Sequence, residues 1–509
     1  MAQMSKKSTY LSIAFWLTIA SILGKLLGFL KDILISYYYG SSALTDAIFL
    51  ALSIPMIVLG VFTASTDSVI IPQYNRIDAK NGRLDADRNF SSIVNSLFLI
   101  GTLISLGILL FPKFLVNIIA PGFTDLQIQY STFFLKIFSF TGLLHIVYCF
   151  FCSYIVRFKY VKTRSILSFS TNLILVISLF FFHDSKMIFL AYTFLFASIF
   201  QAFFPLISAY RIGYKYSCII EFKNSEYHTF WKIFIPIMGA SLMLDLNMFF
   251  DRFVASNFGD GAISALSYAS RITSVFDSMI VVGIGVVILP LLSKLNLSKD
   301  VSKFKLISTL LFKYMFIILL PIFILCMIYA HPIVELIYKR GNFDAVAVIT
   351  VGRLLFYYSP LVLFISLQTI LSRFFHSLED TKTPMRTTFW TIIINVTLNF
   401  ILSKYLGLNG VALATSIAIF FNVFFLFITF NKRVGWSLQY FQMKDVSIIL
   451  SAVLLLIVVL FLWRYCVTNY LFLVFCGGLV SLLVYYAMIV FLLRKELKEI
   501  YHLYTSHIF

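Results

Sequence analysis

The 509-residue chain is short of charge: only 12% of its residues are Asp, Glu, Lys or Arg, about half the share of an ordinary soluble domain. It holds 22 acidic residues against 40 basic ones, with seven histidines and six cysteines. The few histidines are dispersed, so no set of general acids and bases is gathered in one segment. No G-x-x-x-x-G-K-[ST] phosphate loop is present either; Gly24-Lys25 is followed by leucine inside an apolar run. Both absences speak against an enzyme. The cysteines are scattered, and the one C-x-x-C pair, Cys149 and Cys152, sits in an apolar stretch without a second pair. That spacing alone reads as small core residues rather than as zinc or redox chemistry. Long polar segments are missing too: the stretches around 74–90, 212–228 and 293–305 are too small for a catalytic domain.

What the chain has in quantity is apolar surface. Hydrophobic residues make up 60% of it and aromatic ones 18%, and the mean hydropathy is +0.94. A soluble core of this length could not hide so much, so the solvent must be lipid. About fourteen runs approach the roughly 20 apolar residues that a bilayer requires. They lie near 10–36, 46–71, 91–111, 132–156, 164–182, 187–208, 230–256, 265–292, 307–330, 350–374, 385–403, 409–430, 445–464 and 470–493. The first has no small-residue cleavage site and is long enough to span, so it reads as a span rather than a signal peptide. The net charge of +18 comes from residues in short loops, not from a soluble basic face, which argues against nucleic acid. Loops after even-numbered spans, with both ends of the chain, hold 27 Lys and Arg; the opposite loops hold six. This asymmetry predicts two cytoplasmic termini.

A repeat runs at an offset of about 216–220 residues. Val-Ile-Ile-Pro72 ends the second span and Val-Ile-Leu-Pro290 the eighth; Gly122-Phe123 answers to Gly341-Asn342-Phe343, and Arg157-Phe158 with Lys162-Thr163 to Arg373-Phe374 with Lys382-Thr383. Six spans per repeat, an even number, make the halves parallel, an arrangement in which transporters hold substrate between halves. The expected fold is therefore an all-α polytopic membrane protein with about 14 transmembrane helices: a lobe over 1–222, a second over 223–434, and two further helices with a cytoplasmic tail over 435–509.

A charged side chain at mid-membrane costs on the order of 2.5–3.5 kcal/mol on the gentlest scale, so each one marks a cavity or a partner. The first span carries Lys25, Lys31 and Asp32, with Lys25 and Asp32 two turns apart on one face. The second span begins with Asp46 and contains Asp67; Asp245, Asp251 and Arg252 lie in the seventh, and Arg271 opens the eighth. Lys136, Lys313 and Arg353 stand near span ends and are expected to snorkel to the interface. Lys31-Asp32 and Asp251-Arg252 read equally as solvated charges near helix ends. Cations converging on a cavity suit a diphosphate, which offers many acceptor oxygens.

These residues carry a resemblance. Leu27-Gly28-Phe29-Leu30-Lys31-Asp32, Thr45-Asp46-Ala47-Ile48-Phe49, Ala120-Pro121-Gly122-Phe123, the stretch from Phe250-Asp251-Arg252 to Arg271, Gly341-Asn342-Phe343 and Asp380-Thr381-Lys382-Thr383-Pro384 resemble motifs of the MurJ/MviN lipid II flippases. The similarity covers about residues 10–430. It implies the fold of the multidrug/oligosaccharidyl-lipid/polysaccharide exporters and the outward flipping of lipid II, a polyprenyl-diphosphate-linked peptidoglycan precursor, by alternating access. The candidate substrate-binding residues are then Lys25, Lys31, Asp32, Asp46, Arg252 and Arg271. The chain departs from the family pattern in carrying Lys25 and Lys31 for arginines, and Val58-Leu59-Gly60 where members have an arginine pair. A flippase for another polyprenyl-linked glycan, an O-antigen or exopolysaccharide unit, is the alternative. A drug/cation antiporter fits less well because the cavity residues are basic, and a membrane glycosyltransferase because the outer loops are short.

The resemblance extends to an ion. Asn395 and Asn399 are four apart, as are Val411 and Thr415, and with Asp245 they supply a carboxylate, amide oxygens, a hydroxyl and a carbonyl. Such an all-oxygen set suits a hard cation, and some family members hold sodium at this spacing. Sodium is thus a candidate coupling ion, with no other cofactor expected. The expected setting is the bacterial inner membrane, the expected partners are the lipid-linked glycan and membrane lipids, and the expected working unit is a monomer.

Overall fold

The computed structural model describes residues 2–63, 66–158, 160–181, 187–275, 292, 295, 301–435, 443–467 and 470–492. Among these the chain is helical, with no strand. The first series is α1 (Ala2–Tyr39), α2 (Ala43–Gly60), α3 (Thr66–Asn81), α4 (Arg83–Leu110), α5 (Pro112–Ile119), α6 (Asp125–Phe138), α7 (Thr141–Arg157), α8 (Val161–Phe181) and α9 (Met187–Arg211). A second series follows as α10 (Ser225–Ala255), α11 (262–275), α12 (Val301–Ile328), α13 (Ala330–Tyr338), α14 (Ala345–Tyr358), α15 (Pro360–Ser377), α16 (Lys382–Leu406) and α17 (Leu408–Val434). Last come α18 (Met443–Cys466), the single turn α19 (Tyr470–Phe472) and α20 (Gly478–Leu492).

The repeat is visible in these boundaries. α4 and α12 begin and end 218 residues apart, α5 and α13 begin 218 apart, and α6 and α14 begin and end 220 apart. Pro290, one of the residues that suggested the repeat, lies outside the described residues.

Among the described residues, eleven helical stretches are long and apolar enough to cross a membrane, from Ala43–Thr63 to Leu473–Val490. The expected first, seventh and eighth spans are not among them. α1 and α10 are long enough to span, with 38 and 31 residues, but not all of their side chains are described, and most of the eighth span lies outside the described residues. Large side chains such as Leu103, Leu110, Phe181 and Leu454 stand more than 60% exposed, as expected where the solvent is hydrocarbon.

The fourth and tenth spans, expected as single helices, are each broken, at Ser139-Phe140 between α6 and α7 and at Ser359 between α14 and α15. Hydropathy gives no sign of this because the apolar character runs through. Hydroxyls meet the local backbone demand: Ser139 Oγ donates to Lys136 O (2.9 Å), Thr141 Oγ1 to Phe138 O (2.7 Å) and Ser359 Oγ to Phe356 O (2.7 Å). Pro360 then opens α15, where a missing N–H costs nothing.

Two compact units emerge from the packing. The first comprises Met1–Tyr268, Arg340–Asp344 and Ile392–Val411. Its densest core is aromatic: Tyr74, Phe90, Phe150, Phe151, Tyr154, Tyr214, Phe230 and Phe234, all buried. α1 lies close along α8, because Gly24 and Gly28, a turn apart, let the backbones approach. A Cβ on Gly24 would meet Phe169 Cβ at 3.4 Å, and one on Gly28 would meet Asn172 Nδ2 at 3.2 Å. Small residues at such a seam are the usual means of helix association in lipid, where van der Waals packing replaces the hydrophobic drive.

The second unit comprises Ala269–Lys339, Ala345–Thr391 and Ala412–Phe509. Its core gathers Phe304, Phe312, Leu363, Phe374, Phe375 and Phe430. Lys313, expected to snorkel, is instead 1% exposed in the middle of α12. Lys136 and Arg353 are exposed, as snorkelling requires.

Candidate functional site: a cation-lined cavity in the first unit

α1 and α8 enclose a cavity of about 400 Å³ lined by Ala20, Gly24, Lys25, Arg164, Ser165, Ser168 and Asn172. Arg164, Ser168 and Asn172 are spaced four apart and so fall on one face of α8. Opposite them, the glycine seam of α1 leaves room for Lys25, which is exposed. Asn172 Nδ2 donates to Gly24 O (3.1 Å) and fixes the two helices in register. The Ser165 hydroxyl donates to Val161 O (3.0 Å) and that of Ser168 to Ser165 O (2.7 Å). With these neutral donors turned to the backbone, charge in the cavity comes from Lys25 and Arg164.

Arg164 is a cavity-lining residue that the loop-charge reading passed over. It counts among the 27 orientation-setting cations, yet it sits in the first turn of α8 with its side chain one-third exposed. Its guanidinium is bonded to Asp67, 97 residues earlier at the start of α3, and Asp67 also accepts the Ser153 hydroxyl. A contact this distant in sequence leaves no periodic signal.

The other interior charges are placed differently. Lys31 and Asp32 are both buried and pair at 3.2 Å, with the Lys31 ammonium 5.7 Å from the Phe194 ring centre. They are therefore not solvated charges at a helix end. Asp46 is wholly buried: one carboxylate oxygen accepts Ser264 N (2.7 Å), and the other accepts Gly261 N (2.7 Å) and Gln127 Nε2 (3.1 Å). Gln127 is positioned by its own capping box with Thr124 at the start of α6. Asp46 thus ties α2 to α6 and to the first turn of α11. Arg252 donates to Phe49 O (2.9 Å), holding α10 against α2.

Of the ion-site candidates, Asn395, Asn399 and Val411 are buried in the first unit. Asn399 Nδ2 donates to Asn395 Oδ1 (2.9 Å) and to Asp251 Oδ1 (2.6 Å). The carboxylate that meets this asparagine pair is thus Asp251, while Asp245 lies half-buried on the same helix, α10. Thr415 and Arg271 belong to the second unit, where Arg271 is exposed on α11.

Repeated series of apolar helices, with paired charges inside and a cation-lined cavity, define a multi-pass membrane transporter. Comparison agrees on the fold. A solved lipid II flippase MurJ in an inward closed conformation superposes with a TM-score of 0.81 at 24% identity, over 94% of this chain and 99% of that one. An inward-facing multidrug resistance MATE family transporter of the MOP superfamily gives 0.68 at 16% identity, over 83% of this chain and 98% of that one.

The model of the family "Lipid II flippase MurJ" matches residues 35–487, and the chain belongs to that family. Among curated relatives, a probable lipid II flippase MurJ from Buchnera aphidicola subsp. Schizaphis graminum is 27% identical over 423 residues, 80% of this chain and 81% of that protein. The corresponding protein of Rickettsia prowazekii is 26% identical over 82% of this chain and 83% of its own length.

Proposed function

We propose that this chain carries lipid II from the cytoplasmic to the outer leaflet of the bacterial inner membrane. Family membership supports the substrate, and the observation that carries the mechanism is the cavity beside Lys25. A diphosphate brings two or more negative charges and many acceptor oxygens, to which an ammonium can donate charge-assisted hydrogen bonds. Lys31 and Arg271 are the further cations proposed along the route, while the polyprenyl tail stays in hydrocarbon. The lobes over 1–222 and 223–434 would rock to expose the sugar outside. Both termini are cytoplasmic on the loop-charge count, and the working unit is a monomer.

Transport of a charged head group needs a driving force. Each elementary charge moved across the membrane potential contributes about 2.3 kcal/mol per 100 mV. Sodium is the proposed coupling ion, with oxygen donors from Asp245, Asn395, Asn399 and Val411, a set of the hardness that cation prefers. Its role would be to neutralise the acidic side of α10 while bound.

Complementation tests the reading. The intact chain, expressed in cells depleted of their own lipid II flippase, should restore growth, and Lys25→Ala should not, at equal amounts in the membrane. Growth with Lys25→Ala would remove the cavity from the mechanism. Failure of the intact chain would point to a different polyprenyl-linked glycan as cargo.

A further inference from the structure

Resting on the reading of the Lys25 cavity as a diphosphate site, we propose that Arg164 is its second phosphate-gripping cation and that Asp67 is the internal anion which the phosphate displaces. The need for a second cation follows from the cavity itself. α2 contains no Lys or Arg, and Lys31 is already paired with Asp32 and buried. The serine hydroxyls donate to backbone carbonyls. A single ammonium is a point charge, whereas a guanidinium presents a planar fork that matches two phosphate oxygens at once. Arg164 brings that fork into the same cavity as Lys25.

The Arg164–Asp67 pair is built to exchange. The Asp67 side chain is 40% exposed and that of Arg164 33%, so the pair is far from sealed, and ion pairs in such settings contribute little. Asp67 also keeps other support when the guanidinium leaves. It accepts the Ser153 hydroxyl and lies in the first turn of α3, where the positive end of the helix dipole favours a carboxylate. One anion can thus replace another on Arg164 without stranding a buried charge. In the empty protein Asp67 parks the guanidinium at the cavity wall; in the loaded protein the diphosphate takes it over.

A purely structural bridge between α8 and α3 would look the same at rest but respond differently to substitution. The test uses full-length protein in nanodiscs, titrated with lipid II, with thermal unfolding of every variant recorded alongside. Arg164→Gln should weaken binding about 10- to 100-fold, the worth of a charge-assisted hydrogen bond or two, and Arg164→Lys should recover part of it. Asp67→Asn removes the competitor and should tighten binding, by up to about 5-fold. The double variant should bind like Arg164→Gln. Inorganic pyrophosphate, used as a competitor, should lose potency in Arg164→Gln by a similar factor.

Opposite signs for the two single variants are the signature of exchange. Equal weakening by both, with lowered melting temperatures and partial restoration in the double variant, would make the pair a structural bridge and overturn the proposal. Unchanged binding by Arg164→Gln beside a loss in Lys25→Ala would remove Arg164 while leaving the diphosphate site standing. Unchanged binding by both would remove that site and the proposal with it.

Discussion

Replacement of Asp46 separates a structural carboxylate from a substrate-binding one. Asp46 is buried on α2, and its two oxygens serve three donors: Ser264 N, Gly261 N and Gln127 Nε2. Asp46→Asn preserves shape but sets an NH₂ against one of those N–H groups. The loss is one charge-assisted hydrogen bond together with a donor–donor contact, about 1.5–3 kcal/mol. Asp46→Ala strands all three buried donors at about 1–3 kcal/mol each, on the order of 5 kcal/mol in total. Thermal unfolding in detergent should therefore rank wild type above Asn above Ala. Lipid II affinity, measured well below each melting temperature, should stay near the wild-type value for Asn. Should Asp46→Asn melt like the wild type yet lose affinity, the carboxylate works on the substrate and the clamp argument fails.

Two further predictions concern the joints of the fold. Gly341 has φ +58, and a Cβ there would meet Tyr37 O at 2.3 Å, so Gly341→Ala should cost at least about 2 kcal/mol from the left-handed backbone and the clash together. Gly82 has φ +87 with open space around it, so Gly82→Ala should cost only about 1 kcal/mol, and the gap between the two in thermal unfolding measures the close approach. In the turn between α15 and α16, burial by itself would raise the Asp380 carboxyl. The Thr383 N–H and hydroxyl and the Arg433 guanidinium outweigh it and hold the group below its ordinary value. A depressed folded value adds stability that is present above the ordinary carboxylate range near 4 and is lost as pH falls through the lowered value. Melting temperature should drop on acidification below about pH 4, and Asp380→Asn should flatten that limb; an equally steep limb in the variant would assign it to other acids.

The spans were legible because about 20 apolar residues in a row have few other uses. The repeat was legible because its punctuation, Gly122-Phe123 against Gly341-Asn342-Phe343, survives in turns where few residue types fit. The breaks at Ser139 and Ser359 were not. At the first, the neighbour is distant in sequence: Gly142, just past the break, brings α7 so near α2 that a Cβ would meet Pro55 O and Leu59 Cδ1 at 2.7 Å. Hydropathy averages over a window and carries no record of such a neighbour. Lys313 was misjudged for a related reason. A lysine near the end of an apolar run can reach water only if its helix face is open, and on α12 that face is covered.

The interior charges show where sequence reasoning stops. Intramembrane cost identifies Lys25, Lys31, Asp32, Asp46, Asp251 and Arg252 alike as residues that need a partner, since the cost depends on the group and its depth. What the partner is depends on three-dimensional neighbours. Lys31 has Asp32, Asp46 has three N–H donors, Asp251 has Asn399 and Arg252 has a carbonyl, so these four are answered inside the protein, the last three as ties between helices. Lys25 and Arg164 line one cavity, and Arg164 is bonded there to the half-exposed Asp67. The cavity thus sets a residue of the family pattern, Lys25, beside a cation from outside the quoted motifs, Arg164, and only the fold could have shown that the two share a wall.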